Sequence, residues 1–442
     1  MNGSRMDKQD PGVMPPGRID RLDGATAVPA VRGAALVVVA AGVSAALHLG
    51  KLPPAVPALR DALGIDLVEA GFLLSLVQVA GMTLGLLAGL LADAVGLRRS
   101  MLIGLATLTL ASALGGMVTP GPHALTWLLL LRAVEGIGFL MVVMPGPGLV
   151  RALVPKGADK AAMGLWGAYM PLGVALALLG GPTIIQAWGW HSWWLVMSAI
   201  SLVALFLVWA VIPPDALRRS KPEANSPTLG SGIPARLQLT LRASAPRTLG
   251  LAFAVYSAQW MAVIGFLPTV YESAGVAASW AGLMTSLAAA ANIVGNVSGG
   301  RLLHHGVAPE RLLRWGFGAM LLGSVAAFAQ WGHGEAAVGL PPMVRYAAVC
   351  VFSLAGGMVP ATLFMLSVRL APSPATVSTT VGLMQQTSSL GQFLAPPFVA
   401  WLASRVGGWH WTWAATAALS VLGMLVAGQL ALQQRRQEEA AR

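Results

Sequence analysis

The sequence predicts an all-α membrane protein in which twelve transmembrane helices form two pseudo-symmetric six-helix bundles. Three observations predict it. Over 442 residues the chain is 56% hydrophobic and only 10% charged, with 52 glycines, against roughly 25% charge in an average soluble domain. Twelve apolar runs are long enough to cross a hydrocarbon core about 30 Å thick, which takes about 20 residues of helix. One half of the chain also echoes the other: Gly164-Leu165 and Leu172-Gly173 recur as Gly382-Leu383 and Leu390-Gly391, 218 residues later. Helices rather than strands follow, since an unpaired backbone cannot face lipid.

Residues 1–32 carry Asp7, Lys8, Asp10, Pro15, Pro16, Asp20 and Asp23 and have no apolar core followed by a small-residue cleavage site. They are expected to be a disordered cytoplasmic tail and not a signal peptide. The first bundle, 33–212, holds spans at 33–56, 68–91, 99–119, 124–150, 161–187 and 191–212. Residues 213–247 run from Pro213-Pro214 to Pro246 and are rich in Pro, Ser, Gly and Arg, a composition that neither spans nor builds a core, so they are expected to be a cytoplasmic linker. The second bundle, 248–433, holds spans at 248–271, 278–300, 311–332, 342–370, 376–403 and 409–432, with residues 434–442 as a cytoplasmic tail. Inverted or parallel repeats of this kind mark transport folds. Gly189-Trp190-His191-Ser192-Trp193 opens the sixth span as Gly408-Trp409-His410-Trp411 opens the twelfth, and Arg151–Pro155 is echoed by Arg369–Pro372.

Orientation follows from the basic residues. With a cytoplasmic N-terminus, the inner loops receive Arg98, Arg99, Arg151, Lys156, Lys160, Arg218, Arg219, Lys221, Arg236, Arg242, Arg247, Arg301, Arg311, Arg314, Arg369, Arg435 and Arg436. The outer loops hold little beyond Arg60 and Arg405, beside Asp61, Asp66, Glu272 and Glu335. Both termini are therefore expected inside. The net charge of +11 is spread over these loops, which argues against nucleic acid as a partner. The basic linker is either an ordinary inner loop or a contact for anionic lipid. The single cysteine, Cys350, rules out an intramolecular disulfide and a Cys-rich metal site. A composition rich in Ala, Leu and Gly suits a bacterial inner membrane.

Between the second and third spans the chain reads Gly89-Leu90-Leu91-Ala92-Asp93-Ala94-Val95-Gly96-Leu97-Arg98-Arg99. In the fourth, Leu128, Arg132, Glu135, Gly136 and Gly138 place an arginine within Arg-x-x-x-Gly. The first segment resembles the signature loop of the major facilitator superfamily, and the second resembles that superfamily's second motif. The resemblance covers about residues 33–433 and implies a secondary transporter that rocks two bundles around a midplane site. It also implies that Gly89, Asp93, Gly96, Arg98 and Arg99 form a conformational latch. Ala94 and Leu97 stand where the family usually has basic residues, and the matching loop of the second half, Gly299–Gly306, has Leu303 where the acid would be. The pattern is weakly similar to bacterial cyanate and nitrite carriers. A drug-antiporter signature in the fifth span is only partly echoed, because Ala177-Leu178 stands where Gly-Pro is expected.

A charge at the bilayer centre costs about 2.5–3.5 kcal/mol on insertion scales, so Arg132 and Glu135 need a cavity or a partner. Three residues apart, they share a helix face and can pair. That pair is either structural or a proton-coupling device, since protonating Glu135 would unmask Arg132. His48 and Lys51 are likewise three apart on the first span. Lys51 either snorkels to the outer surface or lines the cavity and attracts an anion, with His48 titrating beside it. Lys51, Arg132 and Arg345 against Glu135 leave the membrane interior positive, which favours an anionic substrate. Tyr169, Tyr256, Gln259, Asn292 and Gln385 are further candidate substrate contacts, each also able to serve as interhelical glue.

The expectation is a monomeric carrier of a small solute, preferably a small anion, with protons as coupling ion, lipids as surroundings and no cofactor or metal. A multidrug or metabolite exporter of the same fold is the alternative. An enzyme is disfavoured because the seven histidines fall mostly at loops and helix ends. A nucleotide-driven pump is disfavoured because no Gly-x-x-x-x-Gly-Lys loop occurs.

Overall fold

The computed structural model describes residues 24–154, 166–215, 233–331, 338–373 and 376–440. The tail before residue 24, Gly164-Leu165 of the repeat, Lys156 and Lys160, the stretch 216–232 of the linker and Glu335 lie outside the described residues, as do the side chains at 88–94, Gly89 and Asp93 among them.

The first span is α1, Gly24–Gly50. It stops short of residue 56 because Pro53 and Pro54 cannot donate to a helical ladder. A 3₁₀ turn, Pro53–Ala55, leads into a short amphipathic helix, α2, Val56–Leu63, closed by Gly64 at φ 67°. Next come α3, Leu67–Ser75, a 3₁₀ turn at Leu76–Gln78, and α4, Val79–Val95. A capping box starts α3: Asp66 accepts from the Glu69 N–H and Glu69 accepts from the Asp66 N–H. The third and fourth spans are α5, Leu97–Gly116, and α6, Ala124–Val143, the latter followed by α7, Gly146–Leu153, across Pro145. A 43-residue helix, α8, Tyr169–Val211, breaks at Gly189 (φ 79°, ψ 167°) and so supplies the fifth and sixth spans with no loop between them.

In the second half, α9, Ile233–Arg242, precedes α10, Ser244–Ser273, and α11, Ala278–His304. These are followed by α12, Pro309–Phe328, a two-residue pairing of β1, Gln330–Trp331, with β2, Val338–Gly339, and α13, Pro342–Arg369. The last two spans are α14, Val377–Val406, and α15, Thr412–Ala440. The helix α9 falls inside the stretch read as a linker and is tied down by a 2.8 Å hydrogen bond between the Thr240 and Thr379 hydroxyls. By length and mean hydropathy, eight stretches among the described residues qualify as spans, the broken α8 being one of them. The spans α11, α12 and α14 fall short, since they carry Asn292 and Asn296, Glu310, Arg311 and Arg314, and Gln385, Gln386 and Gln392 respectively.

Small residues set the helix crossings. Gly173 in α8 lies against the α1 backbone at Val43 and Ala46, and Gly391 in α14 lies against the α10 backbone at Ala254. Gly136 in α6 sits on Val77, and Gly295 in α11 sits on Leu354 of α13. Where the halves meet, the seam is amide-rich. Gln78 Nε2 donates to Gln392 Oε1 at 3.1 Å, Gln386 Nε2 to the Met82 carbonyl at 2.9 Å, and Ser286 Oγ to the Ala175 carbonyl at 2.8 Å.

Candidate transport site

The first and fourth spans bring their charged residues together. Arg132 and Glu135 occupy one face of α6, and the Arg132 Nη1 to Glu135 Oε2 distance is 2.6 Å. The other carboxylate oxygen, Oε1, pairs with Lys51 Nζ from the end of α1, while His48 Nδ1 stands 3.5 Å from it. Lys51 and His48 are 0% exposed, and Arg132 and Glu135 1%. Lys51 therefore does not snorkel to the surface: its ammonium is held inside the first bundle.

The surroundings explain how these charges survive burial. Lys51 Nζ donates to Ser112 Oγ at 3.1 Å and lies 4.7 Å from the Trp194 ring centroid, a cation–π contact. Ser112 passes its own hydrogen bond to the Trp194 carbonyl. Arg132 donates to the backbone carbonyls of His48 (2.8 Å) and Leu73 (3.1 Å), tying α6 to α1 and α3. Trp193 Nε1 donates to the Lys51 carbonyl at 2.9 Å, where the helix has ended and the carbonyl is free. His48 Nε2 and Ser201 Oγ are 2.8 Å apart. Within this cluster two buried nitrogens, His48 Nδ1 and Arg132 Nη2, have no hydrogen-bond partner. With His48 neutral, two cations face one carboxylate, so the cluster is positive by one charge. Among the described residues, Glu135 is the only buried acid.

The second bundle holds a neutral cluster. Asn292 Nδ2 donates to Tyr256 Oη at 3.0 Å and to the Ser353 carbonyl at 2.9 Å, and Trp260 Nε1 donates to Ser353 Oγ at 3.2 Å. Gln259 Nε2 bonds the Val255 carbonyl, while Gln259 Oε1 accepts from Ser420 Oγ at 2.7 Å. Tyr169, in the first bundle, stacks on Trp166 with centroids 4.6 Å apart. Gln385 is half-buried on α14. Arg345, counted above with the interior charges, lies in the first turn of α13 and donates to the Ala327 carbonyl.

At the signature loop, Gly96 takes φ 104° and starts α5. Among the described side chains, an anion on that helix N-terminus is Asp215, whose carboxylate accepts from the Arg98 N–H at 3.0 Å and the Arg99 N–H at 3.1 Å. Arg98 Nη2 donates to the Trp209 carbonyl at 2.7 Å, fastening α5 to the end of α8. Sequence reasoning missed Asp215, and also Ser112, Ser201 and the Trp193-Trp194 pair. Only the last had a signal, in the Trp-rich opening of the sixth span.

A sequence model of the Major Facilitator Superfamily matches residues 34–386 and 249–441. The cyanate transport protein CynX of Escherichia coli K12 is 28% identical over 395 residues, which covers 88% of this chain and 95% of that protein. The multidrug resistance protein Stp of Mycobacterium tuberculosis is 31% identical over 135 residues, 30% of this chain and 24% of that protein. A bacterial homolog of the human lysosomal transporter Spinster, solved in an inward-facing and occupied conformation, superposes with a TM-score of 0.72 at 14% identity, covering 90% of this chain and 96% of that one.

Proposed function

The chain belongs to the Major Facilitator Superfamily, and from that premise we propose that this transporter carries a small anion together with a proton by alternating access. It works as a monomer in a bacterial inner membrane with both termini in the cytoplasm. The observation that carries the proposal is Glu135, held between Lys51 and Arg132 in a buried cluster with an excess positive charge. While ionised, the carboxylate occupies both cations. Once protonated, it releases them, and an anion takes its place on Lys51 Nζ and Arg132 Nη1, beside the unpartnered Nη2. Burial keeps such an exchange strict, because an unpaired charge in a dry interior costs several kcal/mol. Tyr256, Gln259 and Asn292 on the second bundle, with Tyr169 and Gln385, supply neutral hydrogen-bonding groups for the rest of the solute. The near full-length likeness to a cyanate transport protein supports the same reading.

Uptake into proteoliposomes, with and without an imposed pH gradient, tests it across cyanate, nitrite, formate and cationic dyes. Lys51→Ala is expected to lower anion uptake on the order of 100-fold, since truncating one partner of a buried charge pair costs about 2–5 kcal/mol. Glu135→Gln is expected to abolish gradient-driven accumulation. Part-length likeness to resistance proteins favours the alternative, a drug exporter. Proton-driven flux of cationic dyes indifferent to Lys51 would establish that alternative and end the anion reading.

A further inference from the structure

The two halves build the same polar node with different charge. In the first, His48 of α1 meets Ser201 of α8 at 2.8 Å. In the second, Gln259 of α10 meets Ser420 of α15 at 2.7 Å. Helix packing makes these pairs equivalent. Gly173 rests on the α1 backbone at Val43, five residues before His48, and its repeat partner Gly391 rests on the α10 backbone at Ala254, five residues before Gln259. Carried three residues on, Lys51 corresponds to Ala262. The crossing of α4's approach with α6 likewise matches that of α11 with α13: Gly136 sits on Val77, and Gly295 on Leu354, both positions shifted by 218 residues. In that register Glu135 corresponds to Ser353 and Arg132 to Cys350.

The second bundle is thus a copy of the first in which the positions of the buried charges are neutral. Among the described residues it contains no buried acid, lysine or arginine. Among the described residues, the buried charge available for coupling resides on Lys51, Arg132 and Glu135, with His48 the other titratable group packed against Glu135, and only one of the three is an acid.

Resting on the proton-coupled anion reading, we infer that the transporter takes a monovalent anion and moves one proton with it, so that the cycle is electroneutral. The ionised empty cluster carries one net positive charge. Protonation of Glu135 raises it to two, and a singly charged anion restores it to one. Loaded and empty carriers then bury the same charge, so neither is penalised over the other in switching between the two faces of the membrane. A divalent anion leaves the loaded cluster neutral and breaks that match. With no acid at Ser353, the second bundle has, among its described residues, no buried carboxylate with which to bind a second proton.

The test uses the wild-type protein in vesicles loaded with a pH indicator, with radiolabelled cyanate, nitrite and formate as monovalent probes and sulfate and oxalate as divalent ones. Proton and anion entry are counted together, and a potassium–valinomycin potential is imposed at equal pH. One proton per monovalent anion, a membrane potential that drives no accumulation, and no divalent flux are the expected result. Two protons per anion, accumulation driven by potential alone, or divalent uptake would overturn the inference while leaving proton coupling intact. Anion entry without protons, or no anion entry, would overturn the underlying reading and this inference with it.

Discussion

Asp215 shows how much one side chain can organise. It follows Pro213-Pro214 at the end of the sixth span, and its carboxylate caps α5 through the Arg98 and Arg99 N–H groups. A side chain on Gly96 would meet Asp215 Oδ2 at 2.5 Å, and φ 104° is a conformation that residues with a Cβ rarely adopt. Asp215→Ala is therefore expected to lower stability by about 1 kcal/mol, the usual worth of an N-terminal cap. Gly96→Ala is expected to lose about 1–3 kcal/mol through backbone strain. Thermal unfolding in detergent, followed by tryptophan emission, checks both. In the double variant the clash is gone but the strained φ remains, so the losses should not simply add. Gly96, Arg98 and Arg99 stand out in the sequence because their spacing is distinctive. Nothing local singled out Asp215, whose partner lies more than a hundred residues back in the chain.

The spans read well from hydropathy because a lipid-facing helix must be apolar along its length. Their ends read less well. Pro53-Pro54 shortened α1, and the fifth and sixth spans turned out to be one helical trace bent at Gly189. Pairing between helices was the least legible: Arg132 with Glu135 followed from a three-residue spacing, but bringing Lys51 to the same carboxylate requires knowing how α1 and α6 are rotated. Crossing geometry gives this scale its own prediction. A Cβ at Gly295 would drive into the Leu354 backbone, whereas at Gly300, on the same helix, it meets open space. Gly295→Ala is expected to destabilise by about 1–3 kcal/mol, and Gly300→Ala to stabilise by up to about 1 kcal/mol as a better helix former. Unfolding midpoints of the two variants should move in opposite directions.

For the whole molecule, the proposed alternating-access cycle requires the seam between the halves to open. The Cβ of a residue at Gly85 would lie 3.1 Å from that of Gln386, slightly inside the 3.5–4.5 Å of a disulfide. In a Cys350→Ser background, Gly85→Cys with Gln386→Cys is expected to cross-link within one chain under mild oxidation. Transport should stop when the bridge forms and return on reduction. Continued transport by the oxidised protein would mean that α4 and α14 stay together throughout the cycle. The two-bundle plan was legible from the repeat because duplicated halves keep their glycine and tryptophan spacings. The charge asymmetry between them emerged only once the glycine contacts aligned Glu135 with Ser353.

The placement of Arg132 and Glu135 a single turn apart on one helix also bears on how the chain is made. A nascent segment carrying a lone arginine would resist leaving the translocation channel for lipid, but here the counter-charge arrives in the same segment and travels with it. Insertion of the fourth span need not await the first, even though the finished cluster depends on both. Lys51 sits just past the end of α1, where a newly inserted helix can keep its ammonium at the headgroups until the bundle closes over it.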